Sequence, residues 1–286
     1  MHLFFQELLN GLVVGSIYAL VALGLALVYG TMGIPNFAHG HLYMLGAYVA
    51  FFGVTVANIG YWPAMLLAIV VLAFVGVLLE RFVFRPLQKA PEVNAIIAAV
   101  GVLFFFEALA RVFFGPGFRV LPTPYDHVVK IAGLIITQQQ LIVILAAAVV
   151  MVALFWFLKR TLVGATIEAV AQNRRGAALV GINADRVQSL VFAISAGLAA
   201  TAATLIASIN LIFPSMGSTV ILKAFAIIVL GGMGSIPGAI VGAFILAFAE
   251  SFGATYISTS YQDVIAFGLL VIILTVRPTG LFAKGT

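Results

Sequence analysis

Nine apolar runs separated by short polar gaps set the pattern of the chain, at 3–29, 39–57, 62–79, 93–113, 140–158, 188–209, 215–230, 239–252 and 261–276. The hydrocarbon core of a bilayer is about 30 Å thick and takes about 20 apolar residues in helical form. Runs of this length predict an all-α, polytopic membrane protein with eight to nine transmembrane helices. Several are short or broken by glycine, and the lower count follows if one is re-entrant. The whole of 1–286 reads as one transmembrane domain with two longer polar interludes, 114–139 and 159–187.

Composition agrees. Hydrophobic residues make up 64% of the chain, only 8% are charged, and the mean hydropathy is +1.22, which leaves too little polar surface for a soluble globule. A net charge of +5 would suggest nucleic acid in a soluble protein. Here the basic residues sit in the gaps between apolar runs, which is the positive-inside pattern, and no nucleic-acid partner is expected. Arg81, Arg85 and Lys89 form one cluster, Lys159, Arg160, Arg174, Arg175 and Arg186 a second, and Arg277 and Lys284 a third. Nine crossings with the N-terminus outside and the C-terminus in the cytoplasm put all three on one side. The opening MHLFFQELLNGLVVG has no basic flank and predicts a retained first span.

The chemistry of the chain is sparse. It has no cysteine, and hence no disulfide and no thiolate nucleophile or ligand. No Walker-type phosphate loop occurs, and Gly231, Gly232 and Gly234 lack the βαβ setting of a dinucleotide site. ATP hydrolysis would therefore have to come from a separate subunit, and the chain itself is expected to be neither an enzyme nor a holder of a cofactor. His39 and His41, two residues apart on a helix, point to different faces and predict no metal site. Glu107 with Arg111, and Lys223 with Glu250, read as structural ion pairs.

Irregular backbone survives at membrane depth only where it is buried in protein or lines a cavity. Two Gly- and Pro-containing segments, 34–41 and 231–238, precede the similar sequences LGAYVAFF and VGAFILAF. They are either ordinary helix-packing faces or the two sides of a translocation path. In the second reading Asn36, His39 and Ser235 line the path, while Gly46 and Gly242 give close helix contacts. Such a lining suits a small neutral or zwitterionic solute with an apolar side chain. The interlude at 114–139, with an alternating stretch around Gly133 that predicts a small hairpin, is either a solvated connector or a docking surface outside the membrane. The other, TLVGATIEAVAQNRRGAALVGIN at 161–183, is an amphipathic stretch of the kind that can dock a soluble subunit.

Five co-linear blocks carry a family resemblance: GLVVGSIYALVALGLALVYG, IPNFAHGHLYMLGAY, ERFVFRPL, EAVAQNRRGAALVGIN and LGGMGSIPGAIVGAF. Over nearly its whole length the chain resembles the permease subunit of branched-chain amino acid ABC importers. The resemblance implies a multi-pass protein of the bacterial inner membrane. It also implies a heterodimer with a sister permease, two ATPase subunits that bind ATP and magnesium, a periplasmic substrate-binding protein and surrounding membrane lipid. Permeases for urea and short-chain amides look similar and are the competing substrate class; a carrier or channel working without an ATPase is the competing mechanism. The fourth block resembles the coupling loop of importers, which assigns ATPase coupling to Glu168, Ala169, Ala171, Arg174, Arg175, Ala177, Ala178 and Gly181. It departs from the usual loop in having Arg174 where a glycine is expected, with Gly176 and Gly181 coming later.

Overall fold

Each of the nine apolar runs falls on a helix in the computed structural model, which describes residues 2–131, 133–277 and 279–282. Lys284, of the third basic cluster, lies outside the described residues. The main helices are α1 (His2–Met32), α2 (His39–Thr55), α3 (Tyr61–Leu79), α5 (Glu92–Phe114), α6 (Gln138–Arg160), α9 (Ala184–Ile206), α10 (Met216–Gly231), α11 (Ile236–Tyr256) and α12 (Gln262–Val276). A π turn, Glu80–Phe84, joins α3 to the short α4 (Arg85–Leu87). The turn precedes Pro86, which has no N–H for the preceding carbonyls, and a widened helix relieves that misfit. Six helices among the described residues are long and apolar enough to cross a membrane, namely α1, the continuous Tyr61–Leu87, α5, α6, α9 and α11. The chain is thus a multi-pass helical membrane protein in which α2, α10 and α12 are too short for a full span by themselves.

α1 and α9 form the centre of the bundle, whereas α3, α5 and α6 turn most of their surface outward. Small side chains allow the central helices to approach closely, as expected where apolar surfaces gain nothing by leaving lipid for one another. A Cβ on Gly76 of α3 would lie 2.6 Å from the Phe192 carbonyl oxygen of α9, and one on Gly46 of α2 would lie 2.7 Å from Ala200 Cα.

Two helices begin inside the bundle. His39, at the start of α2, reaches the Val21 carbonyl of α1 through Nε2 (3.0 Å) and Ser195 Oγ of α9 through Nδ1 (3.2 Å). Ser195 is halfway along α9, so 33–38 carries the chain back from the end of α1 to mid-depth before α2 starts. α10 starts against it, with Gly40 and Gly217, each the second residue of its helix, back to back. From there α2 runs to the end where Phe52 meets Phe114, and α10 to the opposite end, where Gly231 packs on Gly238. The second segment that carries the chain back to mid-depth is therefore 207–215, containing Pro214, and not 231–238: it leaves the end of α9, where Ala207 and Ile212 bond to the backbone of Leu121 and Arg119, and returns to the start of α10. Gly234 of the latter segment lies beside Gly30, close to the C-terminal end of α1.

The interlude after α5 is folded onto the bundle rather than free in solvent. Arg119 stacks on Phe51 and Phe52 and donates to the Phe114 carbonyl. Gln139, 2% exposed, donates to Tyr61 Oη and to the Leu205 carbonyl and accepts from Thr123. The expected hairpin is present as β1 (Val128–Ile131) and β2 (Leu134–Thr137), antiparallel, with Gly133 supplying a φ of 84°. Gln6 of α1 exchanges two hydrogen bonds with the backbone of Ile135 and holds the hairpin on the first helix.

Candidate translocation and coupling sites

The mid-depth junction brings together some of the sequence-derived path residues and separates others. Asn36 and His39 are neighbours: the Asn36 carbonyl accepts the His39 N–H (3.1 Å), and Asn36 Oδ1 accepts the Ala38 N–H (3.1 Å). Both residues are buried, and Asn36 Nδ2 has no partner among the described residues. Ser235 is not part of this cluster. It caps α11 by accepting the Gly238 N–H, beside the last turn of α1. Gly46 and Gly242 serve as contact glycines on separate interfaces, Gly46 on α9 and Gly242 on α10, where a Cβ would lie 2.8 Å from the Ile227 carbonyl oxygen. The pattern missed the first turn of α10. There Ser218 is half-buried and Thr219 exposed, which places hydroxyls on the bundle surface at mid-depth. The signal was present in the sequence, since FPSMGS pairs a proline with a following glycine much as IPNFAHG does.

The two acids expected to be ion-paired within the bundle are so. Glu107 binds Arg111, as expected, and also lies 3.5 Å from Nε2 of the fully buried His41. Lys223 meets Glu250 at 2.9 Å, and the structure adds two partners that spacing did not suggest: Asp263 of α12 at 3.1 Å and the hydroxyl of Tyr18 of α1 at 3.1 Å. Tyr18 in turn donates to Glu250 (2.7 Å). One lysine thereby ties four helices.

The stretch after α6 folds into two short helices, α7 (Leu162–Gln172) and α8 (Arg174–Leu179). Its boundaries follow from three capping side chains: Thr161 accepts the Gly164 N–H, Asn173 the Gly176 N–H and Asn183 the Arg186 N–H. Each satisfies a first-turn donor that helix geometry leaves free. Ile167 and Val170 of α7 and Ala177 of α8 turn inward and are buried. Glu168, paired with Lys159 at 3.2 Å, lies on the outward side with Ala171, Arg175 and Ala178, while Ala169 is half-buried. Leu179 and Val180 are 89% and 75% exposed. Gly181 adopts a φ of 85° and makes the turn out of α8; Gly176 is helical. The left-handed turn thus belongs to Gly181, a conformation costly for other residues. Arg174, by contrast, does not join the outward rim. It binds Asp185 Oδ1 (2.9 Å) and the Gln88 side chain.

The profile of the branched-chain amino acid transport system permease component matches residues 7–274. The chain belongs to this permease family. It is 37% identical to the high-affinity branched-chain amino acid transport permease BraD of Pseudomonas aeruginosa, over 98% of this chain and 96% of that protein. The LivH permease of Escherichia coli K12 is also 37% identical, with the same coverage. A ribose import permease, RbsC of Haemophilus influenzae, is 25% identical over 98% of this chain and 87% of its own length. Among solved structures, PsaBC from Streptococcus pneumoniae superposes with a TM-score of 0.50 at 14% identity, covering 98% of this chain and 93% of that one. That likeness concerns the fold alone.

Proposed function

We propose that the chain is the membrane-spanning permease subunit of an ATP-driven importer of branched-chain amino acids delivered by a periplasmic binding protein. The observation that carries this reading is the α7–α8 hairpin. It presents Leu179 and Val180 at the C-terminal end of α8 with Arg175 one turn before, an apolar anchor with a charged neighbour, in a chain with full-length likeness to such permeases. Anchors of this kind fill pockets on a partner. Two ATPase subunits, holding ATP and magnesium, would dock there. The other end of the bundle, with the Val128–Thr137 hairpin, would receive the binding protein.

A sister permease completes the unit. An exposed hydroxyl at mid-depth is costly against lipid and is supported by facing water or protein. The path therefore runs along the face that carries Ser218 and Thr219, near the α2–α10 junction, between this chain and its sister. Asn36 and His39 set the junction behind that face; Gly46 and Gly242 hold the helices that frame it, and Ser235 shapes the cytoplasmic end. The outward face of α6, with Val149, Val152 and Trp156 exposed, suits surrounding lipid.

The docking reading is tested by Leu179→Glu in the complete transporter. ATPase subunits should fail to copurify, while the permease keeps its elution profile; full retention of the ATPase subunits would sink the assignment. Orientation is tested separately. In an inner membrane with the N-terminus outside, Asp126→Cys should react with an impermeant maleimide added to the periplasm and Ala171→Cys should not. Both residues are exposed, so reaction of both from one side would refute the topology.

A further inference from the structure

We propose that Arg174, with Asp185, Gln88 and the pair of buried Glu80 with half-buried Arg85, is the strut through which movement of the docking helices reaches the membrane helices; this rests on the docking role assigned above to α7–α8. α8 ends on the exposed Leu179, and two features tie the helix back to the bundle: buried Ala177 and the guanidinium of Arg174, its first residue. Asn173, just before it, is extended at φ −156° and ψ 99°, so α8 is not a rigid continuation of α7.

From Arg174 the polar links branch to two membrane helices. Asp185 lies in the first turn of α9, and its pairing with Arg174 spans the turn at Gly181. Gln88 follows α4; its Oε1 accepts from Arg174 and its Nε2 donates to the buried Gln188 of α9. A second layer lies beneath. Glu80, fully buried in the π turn, receives two hydrogen bonds from Arg85 (3.0 and 2.6 Å) and one from Ser189 Oγ (2.7 Å). Arg85 also donates to Ser189 Oγ and to the Asp185 carbonyl. A push on α8 thus arrives at the start of α9 and at the end of α3, the two helices that pack through Gly76.

The outer pair is half exposed, at 40% for the Arg174 side chain and 47% for Asp185. Such a pair contributes little to folding. Its planar, forked guanidinium instead fixes the relative position of three segments. Arg174 is accordingly a positioning residue, and losing it should spare assembly while altering what the assembly transmits.

The experiment compares solute taken up with ATP hydrolysed in the complete transporter reconstituted in vesicles. Arg174→Gln should still copurify with its ATPase subunits, and solute moved per ATP should fall roughly fivefold, a size expected for a coupling position. The exchange of Arg174→Asp with Asp185→Arg should restore much of that ratio, which neither single change does. Leu179→Glu runs alongside. ATPase subunits retained in Leu179→Glu overturn the docking reading and the strut with it. Their loss there, with an unchanged ratio in Arg174→Gln, overturns the strut alone. Loss of the ATPase subunits in Arg174→Gln itself also overturns it, because Arg174 would then be a docking contact.

Discussion

Gly40→Val is expected to abolish uptake and to reduce sharply the yield of folded permease, and Gly217→Val to do the same. A Cβ on Gly40 would lie 2.2 Å from the Gly217 carbonyl oxygen, and one on Gly217 2.6 Å from the Gly40 carbonyl oxygen. The obstacle in each case is backbone, which no rotamer change can move aside. Separating the first turns of α2 and α10 would also pull His39 from Val21 and Ser195. Overpacking in a core typically costs about 1–3 kcal/mol, and a backbone clash belongs at or above the top of that range. Gly101 provides the control, since a side chain there meets nothing within 4 Å. Gly101→Val should therefore leave melting temperature and expression near those of the parent. A Gly40→Val permease that purified in normal yield and melted with the parent would show that the junction is looser than described.

The second large effect is expected at Lys223. Lys223→Met removes the cation from Glu250, 1% exposed, and from Asp263, and leaves the Glu250 carboxylate with the Tyr18 hydroxyl and Gln262 as its donors among the described residues. Breaking a buried ion pair from one side costs roughly 3–5 kcal/mol, because the remaining charge stays desolvated. Removing both charges in Lys223→Met with Glu250→Gln should recover most of the loss, since a neutral pair of similar volume carries no stranded charge. The measurement is the unfolding midpoint of the purified permease for both singles and the double. A double variant as unstable as Lys223→Met would mean that the lysine acts through packing or Asp263, not through Glu250. Uptake retained by the double variant would establish that the cluster holds α1, α10, α11 and α12 together and takes no part in moving solute.

Much of the protein was legible in the chain itself. Hydropathy located the six helices among the described residues that are long enough to cross a membrane, because spanning a bilayer in helical form demands a long apolar run, and it marked the shorter α2, α10 and α12 as well. The hairpin around Gly133 and the amphipathic segment after α6 followed from local pattern, alternation in one case and amphipathic composition in the other; the caps at Thr161, Asn173 and Asn183 came from the structure. The ion pairs Glu107–Arg111 and Lys223–Glu250 were readable from one-turn spacing and from a hairpin's symmetry.

Tertiary structure decided the rest. Hydropathy reports that a segment is apolar, not the depth at which its helix begins. Only the packing of Gly40 on Gly217 and of His39 on Val21 and Ser195 shows that α2 and α10 start at mid-depth, so that the second segment returning to that depth is 207–215 rather than 231–238. Tyr18 and Asp263 joined the Lys223 cluster from helices distant in the chain, and Gln88 reached Arg174 across 86 residues. Long-range pairs of this kind leave no periodic trace, because they depend on which helices meet and at what height. Arg174 shows the division most clearly. Its position in the sequence marked it as a departure from the usual loop, and only the fold set its half-exposed guanidinium between Asp185 of α9 and Gln88.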